Sequence, residues 1–270
     1  MAGKRDRFTT EGTKGTEKNN NDLSVSSAPS VVNLPPLDRR ELLKLGLGAF
    51  AFGCASTDPT RLRARPSKPT DVASAGIYKL NLERPTLLYV PEKATGAFML
   101  MLHGATQNPD RMIVRLKDAA DAFGVTLVAP KSQGMTWDAI RGQFGVDVAF
   151  IDDALRAAFS QCKVDRKHLA IAGFSDGATY ALALGRANGD LFTHLLAFSP
   201  GFLIPVEAVG SPQVFLSHGT RDPILPIDAA SRRIARDLRR ENLSVTFREF
   251  EGEHTVPPEV AREAFQWFIR

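Results

Sequence analysis

Residues 169–188, LAIAGFSDGATYALALGRAN, decide the fold. They open with a continuous apolar run, which is typical of a strand covered on both faces, and continue with helical periodicity. Between the two lies the Gly-x-Ser-x-Gly sequence of residues 173–177, called the elbow below. A strand that turns this sharply into a helix lifts Ser175 above the sheet, where helix N–H groups favour developing negative charge. Ser175 is therefore the candidate nucleophile.

Similar apolar runs recur along the chain and alternate with helical periodicity. Strands are predicted at 77–82, 86–90, 97–102, 125–129, 169–173, 195–198, 213–216 and 245–250, and helices at 109–122, 146–161, 177–188, 228–241 and 258–269. Repeated strand–helix units imply parallel strands joined by right-handed crossovers. The predicted fold class is α/β, with a doubly wound, mostly parallel sheet over residues 77–270 that begins with a hairpin.

Two later strand ends carry partners for a nucleophilic serine. Asp222 lies in the turn after the 213–216 strand, and His254 follows the 245–250 strand, ahead of the last predicted helix. Because ligands bind at the carboxyl ends of parallel strands, we expect both side chains to meet Ser175 there. The order serine, aspartate, histidine is also the one that a Ser-Asp-His triad follows on this kind of sheet.

Each of these residues also has a simpler interpretation. The five-residue elbow pattern occurs by chance in about one chain in ten of this length, and Ser175 could be only a helix cap. Asp222 could bond its own backbone in a turn, and His254 could be a solvated loop residue. His103 and His218 directly end apolar runs and precede glycine, so we expect them to be structural.

The loop after the 97–102 run is the candidate oxyanion hole. It reads His103-Gly104-Ala105, and the glycine lets the backbone approach a substrate closely. The expected donors are the backbone N–H groups of Ala105 and Asp176. Each such donor is typically worth about 2.7–4 kcal/mol in the transition state.

Taken together, these segments resemble the α/β-hydrolase superfamily over residues 77–270. More narrowly, they are similar to its phospholipase/carboxylesterase and polyhydroxybutyrate-depolymerase-like esterases. The resemblance is carried by residues 103–107, 147–152, 173–177, 218–223 and 252–254. It implies hydrolysis of carboxylic esters by an acyl-enzyme route, without a cofactor or a metal, and it specifies the substrate poorly. A small or polymeric ester is the expected substrate.

Many members of this superfamily carry a cap domain after the sixth strand. Here only residues 199–212 separate two predicted strands, which is too short for a cap. We therefore expect an open site, with a possible substrate pocket rimmed by Phe202, Leu203 and Ile204, and by Trp137 from the loop 132–143. Ordinary core packing is the alternative for each of these apolar residues.

The first part of the chain differs in composition from the rest. Residues 1–36 are polar, which predicts a disordered leader. Residues 37–54 contain adjacent arginines, a short apolar stretch and then Cys54, and they resemble a twin-arginine export signal with a lipoprotein cleavage box, although Phe52 departs from that pattern. Residues 55–76 are predicted to be a tether. The alternative for the apolar stretch is a short amphipathic helix.

This interpretation predicts a periplasmic or cell-envelope lipoprotein anchored through Cys54, or a cytoplasmic protein if the signal is misread. The net charge of +4 is divided evenly between residues 1–53, which hold eight basic and six acidic side chains, and the rest of the chain. The rest of the chain is so nearly balanced in charge that it gives no electrostatic argument for nucleic-acid binding. Two cysteines without a Cys/His cluster predict no metal site. The remaining alternatives are a thioesterase or peptidase with the same triad, and a non-catalytic envelope lipoprotein.

Overall fold

A computed structural model describes residues 58–270. The predicted leader, the predicted export signal and Cys54 lie outside these described residues. Within residues 58–270, no helix combines the length and the apolar character that crossing a bilayer requires.

Eight strands form one sheet in the order β1-β2-β4-β3-β5-β6-β7-β8. The strands are β1 (Gly76–Lys79), β2 (Thr86–Val90), β3 (Phe98–Leu102), β4 (Thr126–Pro130), β5 (Leu169–Phe174), β6 (His194–Phe198), β7 (Gln213–Gly219) and β8 (Val245–Phe250). Strand β2 pairs antiparallel with β1 and β4, and the other pairs are parallel. The predicted α/β class and the opening hairpin are confirmed.

Helices cover both faces of this sheet. They are α1 (Pro109–Phe123), α2 (Asp138–Arg141), α3 (Val146–Phe159), α4 (Asp176–Ala187), α5 (Ser231–Arg240) and α6 (Pro258–Phe268). Helices α1 and α6 share one apolar cluster with alternate residues of the strands, while α3, α4 and α5 share the other. Because β3, β4, β5 and β6 are buried on both faces, their sequences read as continuous apolar runs.

Helix α2 was not predicted, because four residues are too few to show a helical period. Residues 199–212, between β6 and β7, form neither helix nor strand. The expectation of a fold without a cap domain at this point is therefore confirmed.

The predicted tether, residues 55–76, is wrong for the part that the structure describes. Leu62 and Ala64 are buried in the core. The Leu62 N–H donates to the Asn188 side chain at 2.8 Å, and the Ala64 N–H donates to Asp152 at 2.6 Å. A proline- and arginine-rich segment is a linker only when its backbone N–H groups find no hydrogen-bond acceptors on the folded domain. Here α3 and the end of α4 supply those acceptors.

Candidate active site

The elbow is a tight turn between β5 and α4. Ser175 has φ 55°, a value that residues with side chains rarely adopt and that costs about 1–3 kcal/mol. A Cβ on Gly173 would lie 2.1 Å from the Gly177 carbonyl oxygen, and one on Gly177 would lie 2.2 Å from the Leu102 carbonyl oxygen. The Ser175 N–H donates to the Phe198 carbonyl at 2.9 Å. Both glycines are thus sterically required, and the strained serine is held by β6.

The structure brings His254 and Asp222 into direct contact. His254 Nδ1 lies 2.6 Å from Asp222 Oδ2. The Asp222 side chain is fully buried, whereas 15% of the His254 side chain is exposed. The His254 ring centroid is 4.7 Å from that of Phe174, the residue before Ser175. An acid-oriented imidazole therefore stands beside the elbow and still reaches solvent.

Asp222 has the surroundings of an ionised carboxylate. Its Oδ1 accepts the N–H groups of Ile224 and Leu225 at 2.8 and 2.9 Å. Burial opposes ionisation, but the donors Leu225, His254 and Ile224 outweigh it and hold the pKa of Asp222 below its ordinary value. The carboxylate can therefore accept Nδ1–H from His254, which leaves the imidazole Nε2 free to take a proton.

His218 lies on the other side of the same carboxylate. Its side chain is fully buried, and its Nε2 is 2.8 Å from the Leu225 carbonyl and 3.1 Å from Asp222 Oδ2. Its Nδ1 lies 2.6 Å from the Ser231 hydroxyl. Burial lowers the pKa of His218, so the ring is neutral at pH 7. The sequence predicted that His218 is structural, but it did not predict the contact with Asp222.

Both predicted oxyanion-hole residues lie next to Ser175. Asp176 is the first residue of α4. Gly104 packs so closely on the elbow that a Cβ there would lie 3.3 Å from Ser175 Cβ, and Ala105 follows it at the exposed surface. The Asp176 side chain accepts the Thr136 hydroxyl at 2.7 Å. The loop that carries Ala105 and the first turn of α4 therefore both adjoin Ser175.

His103 holds the loop that carries Ala105. Its ring is buried, which lowers the pKa of His103 to about 4. The Ser132 N–H donates to Nε2 at 3.1 Å, so the proton is on Nδ1, which lies 2.8 Å from the Gly104 carbonyl. His103 is thus a neutral structural residue, as the sequence predicted.

The expectation that Trp137 rims the substrate pocket is wrong. Its side chain is fully buried, its Nε1–H donates to the His103 carbonyl at 2.8 Å, and its ring packs on Tyr180. An indole with a partner for its N–H is stable inside a core, and this one holds the loop 103–107, called the oxyanion loop below. Among the other predicted pocket residues, Phe202 is 47% exposed, while Leu203 and Ile204 are partly buried and pack against the core.

Sequence reasoning missed the role of the Asp147 carboxylate, which fixes the loop 133–138. Asp147 is fully buried and forms an ion pair with Arg84. It also accepts the N–H groups of Gln133 and Asp138 at 2.9 and 2.8 Å. This loop contacts the oxyanion loop, since the Thr106 N–H donates to the Met135 carbonyl at 2.7 Å. No spacing rule relates an aspartate in the first turn of α3 to an oxyanion hole, so only the structure shows the link.

Within residues 58–270, no three His, Cys, Asp or Glu side chains are grouped as metal ligands. The buried Cys162 thiol is not reactive by environment, because burial raises its pKa to about 11.

The sheet and the elbow have the α/β-hydrolase fold. Residues 144–269 match the family model described as phospholipase/carboxylesterase.

Two curated proteins with esterase names are similar in sequence to this chain. NocK of Nocardia uniformis subsp. tsuyamanensis, a protein assigned as an esterase, is 26% identical over 218 residues, covering 77% of this chain and 58% of NocK. Feruloyl esterase C of Emericella nidulans is 31% identical over 102 residues, or 37% of each chain. The chain thus spans 58% or less of the length of these relatives.

Solved structures share the fold at low identity. The S-formylglutathione hydrolase FrmB of Staphylococcus aureus superposes with a TM-score of 0.61 at 14% identity, over 73% of this chain and all of that one. The Bacillus cereus carboxylesterase gives a TM-score of 0.56 at 19% identity, over 70% and 95% of the two chains.

Proposed function

We propose that the chain is a serine esterase that hydrolyses carboxylic esters through Ser175, His254 and Asp222. One observation carries the proposal. The His254–Asp222 pair, 2.6 Å apart, stands beside a serine held at φ 55° between two sterically required glycines. A strained, partly buried serine next to an oriented imidazole is the arrangement that nucleophilic catalysis requires.

The chemistry follows from the placement of each group. His254 Nε2 removes the hydroxyl proton as Ser175 Oγ attacks the ester carbonyl carbon. Asp222 keeps the other imidazole proton on Nδ1 and stabilises the imidazolium. The N–H groups of Ala105 and Asp176 stabilise the oxyanion. His254 then protonates the departing alcohol, and a water activated by the same imidazole releases the carboxylic acid from the acyl-enzyme.

The comparisons support this class of reaction. The family match covers residues 144–269, which contain Ser175, Asp222 and His254. Both curated relatives described above carry esterase names. A thioesterase or a peptidase would use the same three groups, so a panel of acetyl to long-chain acyl esters, feruloyl esters, thioesters and peptides decides between them. Hydrolysis of peptides or thioesters faster than esters would overturn the esterase assignment.

The decisive variant is Ser175→Ala. We expect it to abolish hydrolysis of a short p-nitrophenyl ester, by about 10⁴-fold or more, because the residual rate comes from the oxyanion hole and binding alone. Circular dichroism and thermal unfolding should stay close to wild type. Ser160→Ala is the matched control, since Ser160 lies beyond α3, away from the elbow. A Ser175→Ala protein with unimpaired activity would remove Ser175 as the nucleophile.

Labelling with a fluorophosphonate tests the reactivity of Ser175 directly and does not require that the substrate be known. The wild-type protein should be labelled at Ser175 and the Ser175→Ala protein should not. A wild-type protein that resists labelling would instead favour a non-catalytic scaffold.

We also propose that the chain is exported and lipidated at Cys54. The proposal rests on the arginine pair 39–40, the short apolar stretch and the cysteine that ends it. Mass spectrometry of the protein from a bacterial host should find a diacylglycerol-modified N-terminal cysteine, and Cys54→Ser should lose it. A mature protein that retains residues 1–53 would contradict the proposal.

A further inference from the structure

The buried His218, a residue that the proposed triad does not use, contacts the triad acid. It is the sixth residue of β7, and Asp222 follows four positions later. Both side chains are fully buried, and His218 Nε2 is 3.1 Å from Asp222 Oδ2. That same oxygen accepts His254 Nδ1 at 2.6 Å. One carboxylate oxygen therefore lies between two imidazoles.

The contacts of His218 fix its tautomer. Its Nε2 faces only acceptors, namely the Leu225 carbonyl at 2.8 Å and the Asp222 carboxylate. The proton must therefore be on Nε2, and Nδ1 accepts the Ser231 hydroxyl 2.6 Å away. Burial lowers the pKa of His218, which keeps the ring neutral. The ring thus acts as a fixed donor and does not exchange protons with the site.

The fixed donor closes a short chain of contacts. His218 Nε2–H holds the Leu225 carbonyl, and the Leu225 N–H holds Asp222 Oδ1 at 2.9 Å. At its far side the ring is held by Ser231, the first residue of α5. The His218 side chain, from β7, therefore links the loop that carries Asp222, called the acid loop below, to α5.

We propose that His218 is a positioning residue that sets the orientation of the Asp222 carboxylate toward His254. The predicted effect on kcat rests on the proposed function. His218 itself acts through the acid loop and makes no contact with the substrate. Its Nε2–H donor, and not the imidazole ring as such, is the group that the site needs.

Two isosteric variants separate the donor from the ring. The amide nitrogen of His218→Gln reaches about as far as imidazole Nε2, whereas that of His218→Asn reaches only as far as Nδ1. We expect His218→Asn to lower kcat about 10- to 100-fold, because a hydrogen bond to a buried charged or carbonyl group is lost. We expect His218→Gln to remain within about threefold of wild type. KM should change little in either variant, since no substrate contact is removed.

A double-mutant cycle tests whether the effect passes through Asp222. In an Asp222→Asn background, His218→Asn should lower kcat by less than about twofold further, because the group that it positions is already gone. Full multiplicative loss in that background would overturn the proposal, as would a His218→Asn enzyme with the kcat of wild type or a His218→Gln enzyme as impaired as His218→Asn.

A proton NMR measurement tests the same proposal without turnover. The downfield resonance of the His254 Nδ1–H proton bonded to Asp222 should persist in His218→Gln and shift or broaden in His218→Asn. Thermal unfolding shows whether each variant is folded, and Ser231→Ala, which keeps the imidazole, should leave the resonance in place. An unchanged resonance in His218→Asn overturns the positioning role. An inactive wild-type protein that shows the expected resonance changes would refute the esterase proposal alone.

Discussion

Two flanks of the site are each held by a histidine that precedes a glycine: His103 on the oxyanion flank, next to Ala105, and His218 on the acid flank, next to the loop that carries Asp222. His103 directly follows β3, and His218 is the sixth residue of β7. Both rings are buried, and burial lowers the pKa of both. On the oxyanion flank, the partners of His103 are backbone groups of Gly104 and Ser132. On the acid flank, His218 contacts the side chains of Asp222 and Ser231 as well as a carbonyl.

The difference shows how one local pattern supports two roles. A neutral ring between two backbone groups fixes the path of a loop. A neutral ring against an ionised carboxylate also fixes the direction of a charge, on which the imidazolium of His254 would depend. Substitutions on the oxyanion flank should therefore lower mainly the free energy of unfolding, and substitutions on the acid flank should lower mainly kcat.

The largest expected effect is on the acid flank. Asp222→Asn should lower kcat about 10⁴-fold, because the amide cannot hold the required tautomer of His254 or stabilise its imidazolium. Ester hydrolysis measured across substrate concentrations checks this.

The matched change on the oxyanion flank is Asp147→Asn, which leaves the cation of Arg84 without its buried partner. We expect a loss of about 3–5 kcal/mol in the free energy of unfolding, measured with urea. The contrast between the flanks is contradicted if Asp147→Asn lowers kcat as much as Asp222→Asn does.

A smaller effect should appear in the pH dependence of stability. The unfolded state protonates His103 near its ordinary pKa of 6.5, whereas the folded state does so only at about 4. The unfolded state therefore binds more protons between these values, and stability falls as the pH drops from about 6.5 to about 4. The part due to His103 is about 3 kcal/mol.

Urea unfolding of wild type and His103→Asn at pH 7 and pH 4.5 measures this difference. His194, whose pKa burial also lowers to about 4, contributes equally to both proteins and cancels. For His218 the Asp222 carboxylate opposes the shift, so the corresponding difference for His218→Asn should be smaller. Equal pH dependence in wild type and His103→Asn would contradict a neutral buried ring at His103.

The smallest effects concern the two aromatic residues predicted to rim the site. Trp137→Phe removes the donor to the His103 carbonyl and should lower the free energy of unfolding by about 1–3 kcal/mol. Phe202→Ala, at a position 47% exposed, should change stability by less than about 1 kcal/mol while altering KM for aromatic esters. Thermal unfolding and steady-state kinetics of both variants check the distinction. A destabilising Phe202→Ala with unchanged KM would place Phe202 in the core instead of the rim.

Most of the sheet could be predicted because buried parallel strands and amphipathic helices have strong periodic signals. Strand β8 was placed at the residues where the structure has it, and the elbow was recognised from its glycines. The four-residue α2 and the docking of Leu62 on the core could not be predicted. A short helix shows no period, and a proline-rich segment shows nothing of the acceptors that it will meet.

The sequence by itself determined the fold class, the order of Ser175, Asp222 and His254 along the chain, and the strand ends at which they lie. These depend on local periodicity and turn chemistry, which neighbouring residues encode. Only the tertiary structure decided that Trp137 is buried beneath the oxyanion loop and that His218 contacts the acid. The surroundings of a side chain depend on segments distant in the chain, so two His-Gly strand ends that look alike in sequence meet different partners.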